Sequence, residues 1–164
     1  MNPLFKFIGT VTVLSNPEPF IAKKKFVNDW RPAAKVKITI YRETFNNYFL
    51  SGDGKIEAPI DERALNYADM QSAASTKSIV DGFEGSIEVT LREVYFLMEI
   101  QGNGESGVLL TNGCQNIFCV LNQEGVLHLV SISWIVDSWY VIAYEVDNFG
   151  TLSGGRIFYR NSEA

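Results

Sequence analysis

Only two cysteines and one histidine occur among the 164 residues. Two thiols cannot staple a disulfide scaffold. Cys114 and Cys119, five apart, do not have the paired spacing of a structural zinc site, and one histidine cannot complete it. No metal site and no cofactor is therefore expected. No apolar run approaches the ~18 residues that a spanning helix needs, so no membrane partner is expected. A secretory leader is not expected either. Residues 4–14 are apolar, but Lys6 interrupts them and their alternation is that of a strand. The chain has no Asn-x-Ser/Thr sequon. Free thiols then suit a reducing, cytoplasmic setting.

The residues that are plentiful point elsewhere. Apolar residues make up 46% of the chain and charged residues 20%, which argues against disorder. The length fits a single domain over residues 1–164. Ile and Val total 28 against 22 for Leu and Ala, and there are 21 aromatics, a balance that favours strands.

Charge is unevenly placed. Residues 1–42 carry +6, through Lys6, Lys23, Lys24, Lys25, Arg31, Lys35, Lys37 and Arg42 against Glu18 and Asp29. The remainder carries −11 and the whole chain −5. A basic segment of this kind can be a nucleic-acid footprint. The acidity of the rest opposes phosphate at long range, so no nucleic-acid partner is expected and a protein partner fits better.

Period-two alternation recurs along the chain. Strands are expected at residues 4–14, with Gly9 at a bulge or close approach, and at 35–41, 45–50 and 55–57. Residues 20–30 read as a short helix or covering loop. A helix is expected near 61–71, capped by Asp61, with Ile60 and Leu65 as a hydrophobic staple. From residue 85 the pattern reads as an antiparallel meander, with strands at 86–101, 108–111, 115–121, 126–136, 138–146 and 156–159. Parity slips near Arg92-Glu93, which predicts a β-bulge there. The expected fold is all-β: an antiparallel barrel or two-sheet sandwich with a C-terminal meander and one short helix.

Two motif matches fail on context. Gly102-Asn103-Gly104-Glu105-Ser106-Gly107 fits G-x-G-x-x-G, but a strand rather than a helix is expected next, so it reads as a hairpin loop. Ser51-Gly52-Asp53-Gly54-Lys55 lacks the first glycine and the hydroxyl residue of a phosphate loop.

One constellation follows from strand arithmetic. A four-residue loop at 122–125 pairs Cys119 with His128. A turn at Asp137-Ser138 sets His128 opposite Asp147, with Glu145 diagonal. Cys119, His128 and Asp147 then form a row with the logic of thiol hydrolysis, a base held by an acid beside a sulfur nucleophile. The same register places Trp134 and Trp139 on one face, where a barrel could hold a small ligand between them. Three functions are compatible with the sequence. A non-enzymatic binding or protein-interaction domain fits best, because no catalytic motif stands. A small-ligand barrel and a Cys/His hydrolase or transferase are the alternatives.

Overall fold

A computed structural model describes residues 4–83, 87–147 and 151–160. In chain order the elements are β1 (Phe5–Val13), β2 (Phe20–Ile21), α1 (Ala22–Lys25), β3 (Ile38–Ile40), a π-helical turn (Asn46–Leu50), β4 (Ile56–Glu57), β5 (Arg63–Met70), β6 (Ala74–Ser75), α2 (Thr76–Asp81), β7 (Glu88–Val89), α3 (Leu91–Gln101), β8 (Asn116–Leu121), β9 (Leu127–Ile135), β10 (Ser138–Glu145), β11 (Thr151–Leu152) and β12 (Arg156–Arg160). Strands take up 40% and helices 19% of the described residues, so the fold is mostly β.

The main sheet runs β1-β5-β12-β8-β9-β10-β3, with β7 beside β8. It is mixed, not antiparallel. β12 and β7 both pair parallel to β8, and β3 pairs parallel to β10. No closed barrel forms among the described residues. The meander is real only for β8, β9 and β10. The chain then sets β11 against β6 and returns to place β12 beside β8.

Both faces of this sheet are apolar, as the alternation in β8–β10 requires. One face presents Leu65, Phe118, Val120, Val130, Ile132, Trp139, Val141 and Phe158. Against it pack Leu91, Val94, Leu97 and Met98 of α3, with Phe26, Phe45 and Phe49. Phe118 and Phe158 stack on adjacent parallel strands, with centroids 4.8 Å apart. The other face presents Phe5, Ala68, Ile117, Cys119, Leu129 and Ile157, covered by Ile79, Ile87 and Leu152.

Two elements differ in type from the sequence reading. The helix expected near 61–71 is strand β5. Its Ala and Leu residues favour helix only weakly. Pairing with β1 on one side and β12 on the other fixes it as a central strand. Leu65 and Ala68, three apart and so on one side of a helix, enter opposite faces of the sheet.

The strand expected at 86–101 is the short β7 followed by α3; Ser86 lies outside the described residues. The parity slip near Arg92-Glu93 marks a helix start, not a bulge. Thr90 accepts from the Glu93 amide and Glu93 answers with a bond to the Thr90 amide, a complete capping box. The buried Glu57 carboxylate adds to it, accepting from the Leu91 and Arg92 amides at 2.9 Å each. A negative charge suits that end of the helix dipole.

Smaller differences follow. Residues 45–50 hold the π-helical turn where a strand was expected, and 108–111 hold no strand. The bulge at Gly9 does occur: the β1–β5 register shifts between Phe7 and Gly9. A Cβ on Gly9 would lie 2.8 Å from the Tyr67 hydroxyl, so the close approach needs glycine.

Candidate functional site

Two registers decide the fate of the expected row. Leu121 pairs with Leu127, so the β8–β9 loop spans five residues, not four. Asn122 explains the extra residue. Its side-chain oxygen accepts from the Glu124 and Val126 amides, at 2.8 and 3.0 Å, and closes the wider loop. Cys119 therefore pairs with Leu129 and Val120 with His128. In the next hairpin Ser138 pairs with Ile135, so Val136 and Asp137 make the turn. Val136 takes φ +60°, a conformation unfavourable for a β-branched residue. This register sets the buried Trp139 directly opposite Trp134 and buries Ser138.

The β8–β9 slip is one residue, which reverses the face; the β9–β10 slip is two, which keeps the face but changes the partner. Cys119 enters the face of Leu129 and Ile157, while His128 enters the opposite face against Tyr48 and Phe49. His128 stands opposite Glu145, not Asp147. Asp147 is exposed beyond the end of β10. The row of Cys119, His128 and Asp147 does not assemble. Burial also pushes the Cys119 thiol up to about 12, far from thiolate chemistry at neutral pH.

His128 instead belongs to a small polar cluster. Tyr48, on the π-helical turn, stacks on its ring with centroids 3.9 Å apart. The Tyr48 hydroxyl donates to Glu145 Oε1 at 2.6 Å, which holds the tyrosine proton and raises its pKa. Because the Asn122 oxygen is engaged, its amide nitrogen faces His128 Nε2 at 3.1 Å and donates to it. His128 is then neutral with its proton on the buried Nδ1. Burial lowers its pKa, opposed by the Tyr144 backbone and the Glu145 charge. Nδ1 finds no hydrogen bond of good geometry among the described residues. The cluster borders a cleft of about 530 Å³. Its imidazole acceptor and its phenol proton are both engaged within the cluster, which leaves neither for substrate.

Trp134 and Trp139 are a direct cross-strand pair. Their rings meet edge to face with centroids 5.3 Å apart, so each indole fills the space beside the other. Trp134 also lies against Gly104, where an added Cβ would come within 2.7 Å of the indole. The glycine-rich loop thus supports a tryptophan, and it follows helix α3.

A second cavity was not anticipated. On the face of the sheet away from α3, Ser133 and Ile135 of β9 and Tyr140, Ile142 and Tyr144 of β10 line a groove of about 550 Å³. Gln115, Tyr41 and Arg42 complete it. Its depth has a simple origin. Along β9 this face carries Leu129, Ser131, Ser133 and Ile135, so two small residues stand where large ones would fill the space. The Ser131 hydroxyl is buried without a hydrogen-bond partner among the described residues. Tyr140 and Tyr41 lie 5.9 Å apart between centroids, and the Arg42 guanidinium sits 5.4 Å from the Tyr41 ring. Gln115 donates to the Tyr144 hydroxyl at 3.3 Å, leaving that hydroxyl's own proton directed elsewhere. The rim is open: Tyr41 is 46% exposed and Ile135 40%. The sequence signal was Ser131-x-Ser133 facing Tyr140-x-Ile142-x-Tyr144, small opposite large along one face.

In comparisons with known proteins, no protein-family model, no curated protein and no solved structure matches the chain.

Proposed function

We propose that this chain is a non-enzymatic binding domain, and that it holds an extended, proline-rich segment of a partner protein in the groove of Tyr41, Tyr140 and Tyr144. The carrying observation is the chemistry of the lining. Three phenols, a guanidinium, a carboxamide and a serine hydroxyl border the groove, and among the described residues no carboxylate does. Such a lining is rich in donors. A matching ligand offers acceptors and few donors of its own. Prolines do this, since each keeps its carbonyl and lacks the N–H. A polyproline II segment is also extended beforehand, with every carbonyl unbonded, so it loses little entropy on docking. Tyrosine rings supply flat faces for pyrrolidine rings and hydroxyls for the carbonyls between them.

The neighbouring hairpin tip supports this reading. Val136 is 90% exposed beside Ile135, which lines the groove. An apolar side chain in a strained turn at the groove's mouth suits contact with a partner. The groove volume also lies within the ~300–1,000 Å³ of small-molecule sites, which supports a small planar ligand as the second reading. The exposed rim favours a chain that passes through. The separated positions of Cys119 and His128 lend a hydrolase no support.

The test is titration of the protein with a ten-residue polyproline peptide, followed by tyrosine fluorescence. Saturable binding is expected, weakened at least tenfold, or about 1.4 kcal/mol, in Tyr140→Ala. Folding of that variant is checked by circular dichroism. Absence of saturable binding, or equal binding by Tyr140→Ala, overturns the proposal.

A further inference from the structure

The two ends of the main sheet are finished differently. At one end the outer side of β3 is sealed. Asp29 and Ile38 exchange backbone bonds of 3.0 and 3.2 Å, and the Ile40 amide donates to Asn28 Oδ1 at 2.7 Å. The Trp30 indole covers the same edge through a 2.7 Å bond to Thr39 Oγ1. At the other end β1 pairs with β5 on its inner side and with no strand on its outer side among the described residues. This nine-residue edge carries one charge, Lys6, and no proline, and no strand covers it among the described residues.

The bulge shapes that edge. The Gln71 amide donates to the Leu4 carbonyl, and the Met70 amide donates away from β1, to Gly155. Backbone groups alternate sides along a strand. Leu4 and Lys6 therefore turn inward before the bulge, and Gly9, Val11 and Val13 turn inward after it. Phe5, Phe7, Thr10 and Thr12 turn their N–H and C=O groups outward. In an unbulged strand Phe7 and Thr10, three residues apart, would point to opposite sides. With the bulge, the outward groups are symmetric about the midpoint of Ile8 and Gly9. A copy of the strand laid antiparallel across that midpoint sets Phe5 against Thr12 and Phe7 against Thr10, each a bonding pair. Lys6 then faces Val11, so no like charges oppose. Phe7 and Ile8, 50% and 41% exposed, lie where the two copies meet.

We propose that β1 pairs antiparallel with β1 of a second copy of this chain, forming a two-fold dimer with one continuous sheet. The contact uses the same surface on both copies, and the sealed β3 edge prevents further addition, so assembly stops at two. The groove proposed for a partner lies over β9 and β10, away from this edge, so the two proposals stand or fall separately.

Sedimentation equilibrium of the native chain, loaded from roughly 1 to 100 µM, reads the association directly. A monomer–dimer equilibrium without higher species is expected. Thr12→Pro removes an outward N–H and spares the bonds to β5, because proline is tolerated on the open side of an edge strand. Dimerisation should weaken at least tenfold in this variant. Amide exchange on the native chain gives a second readout that needs no variant. The amides of Phe7, Thr10 and Thr12 should gain protection as concentration rises. A native chain that stays monomeric throughout, a folded Thr12→Pro that dimerises equally, or protection at these amides that ignores concentration overturns the proposal.

Discussion

Removing the carboxylate of Glu57 should loosen α3 from the sheet. This side chain is 7% exposed and accepts from two successive amides at the first turn of the helix. Lys55 Nζ lies 3.0 Å from the same carboxylate, and its side chain is 15% exposed. Glu57→Ala strips both amides of their acceptor and leaves a largely buried ammonium without its partner. A hydrogen bond to a charged group contributes about 1.5–3 kcal/mol. Breaking a buried ion pair from one side costs about 3–5 kcal/mol, and the two losses overlap here. Retention of the Thr90–Glu93 capping box limits the damage, so the expected cost is ~3–5 kcal/mol. For a chain of this length that corresponds to roughly 6–20 °C in Tm. Glu57→Gln keeps the volume and one acceptor oxygen but loses the charge, and should cost about half as much. Urea and thermal unfolding, followed by circular dichroism, measure both variants. A loss below ~1 kcal/mol in Glu57→Ala, or a larger loss in Glu57→Gln, would refute the reasoning.

Two further outcomes follow from the ionisable groups. The buried Cys119 thiol, held up at about 12, should resist alkylation in the native protein at neutral pH, while the partly exposed Cys114 reacts; mass spectrometry of labelled peptides checks this, and rapid native labelling of Cys119 contradicts it. His128 has a folded pKa below the ordinary 6.5 of the unfolded chain. As pH falls from about 6.5 towards the folded value, the unfolded state takes up the proton first, so native stability falls across that window. His128→Gln should remove this part of the pH dependence, which urea unfolding at pH 7.5 and 5.5 measures; an unchanged slope in the variant would count against the buried neutral ring.

Strand positions were largely legible because burial on a sheet face imposes a period of two. β1, β8, β9 and β10 lie close to where alternation put them, and the Gly9 bulge follows from its glycine. Element type was less legible where burial was nearly complete. In α3, Val94, Leu97 and Met98 are buried, but Phe96 and Ile100 mimic strand alternation with Val94 and Met98. The capping pair Thr90 and Glu93 was the signal that separates the two readings. β5 failed in the opposite sense: Ala64, Leu65 and Ala68 suit a helix locally, while the partners that make it a strand, β1 and β12, come from both ends of the chain.

The candidate site depended on registers, and registers depend on turns. Asn122 widened one loop through its side chain, and the other turn lies at Val136-Asp137, which pairs Trp139 with Trp134. The first shift moves the pairing by one residue, enough to place Cys119 and His128 on opposite faces; the second moves it by two and sets Glu145, not Asp147, opposite His128. The groove was harder to anticipate because its depth comes from absence. Ser131 and Ser133 are small, and only the register with β10 sets them beside Tyr140 and Tyr144.

The central claim is that the tyrosine groove is the binding surface, and residue-resolved amide shifts on adding the ten-residue polyproline peptide test it most directly. The account predicts saturable shifts gathered at Tyr41, Arg42, Gln115, residues 133–136 and residues 140–144, with the cleft beside Tyr48 and His128 unmoved. Shifts centred on His128 and Asn122, or none that saturate, would contradict it.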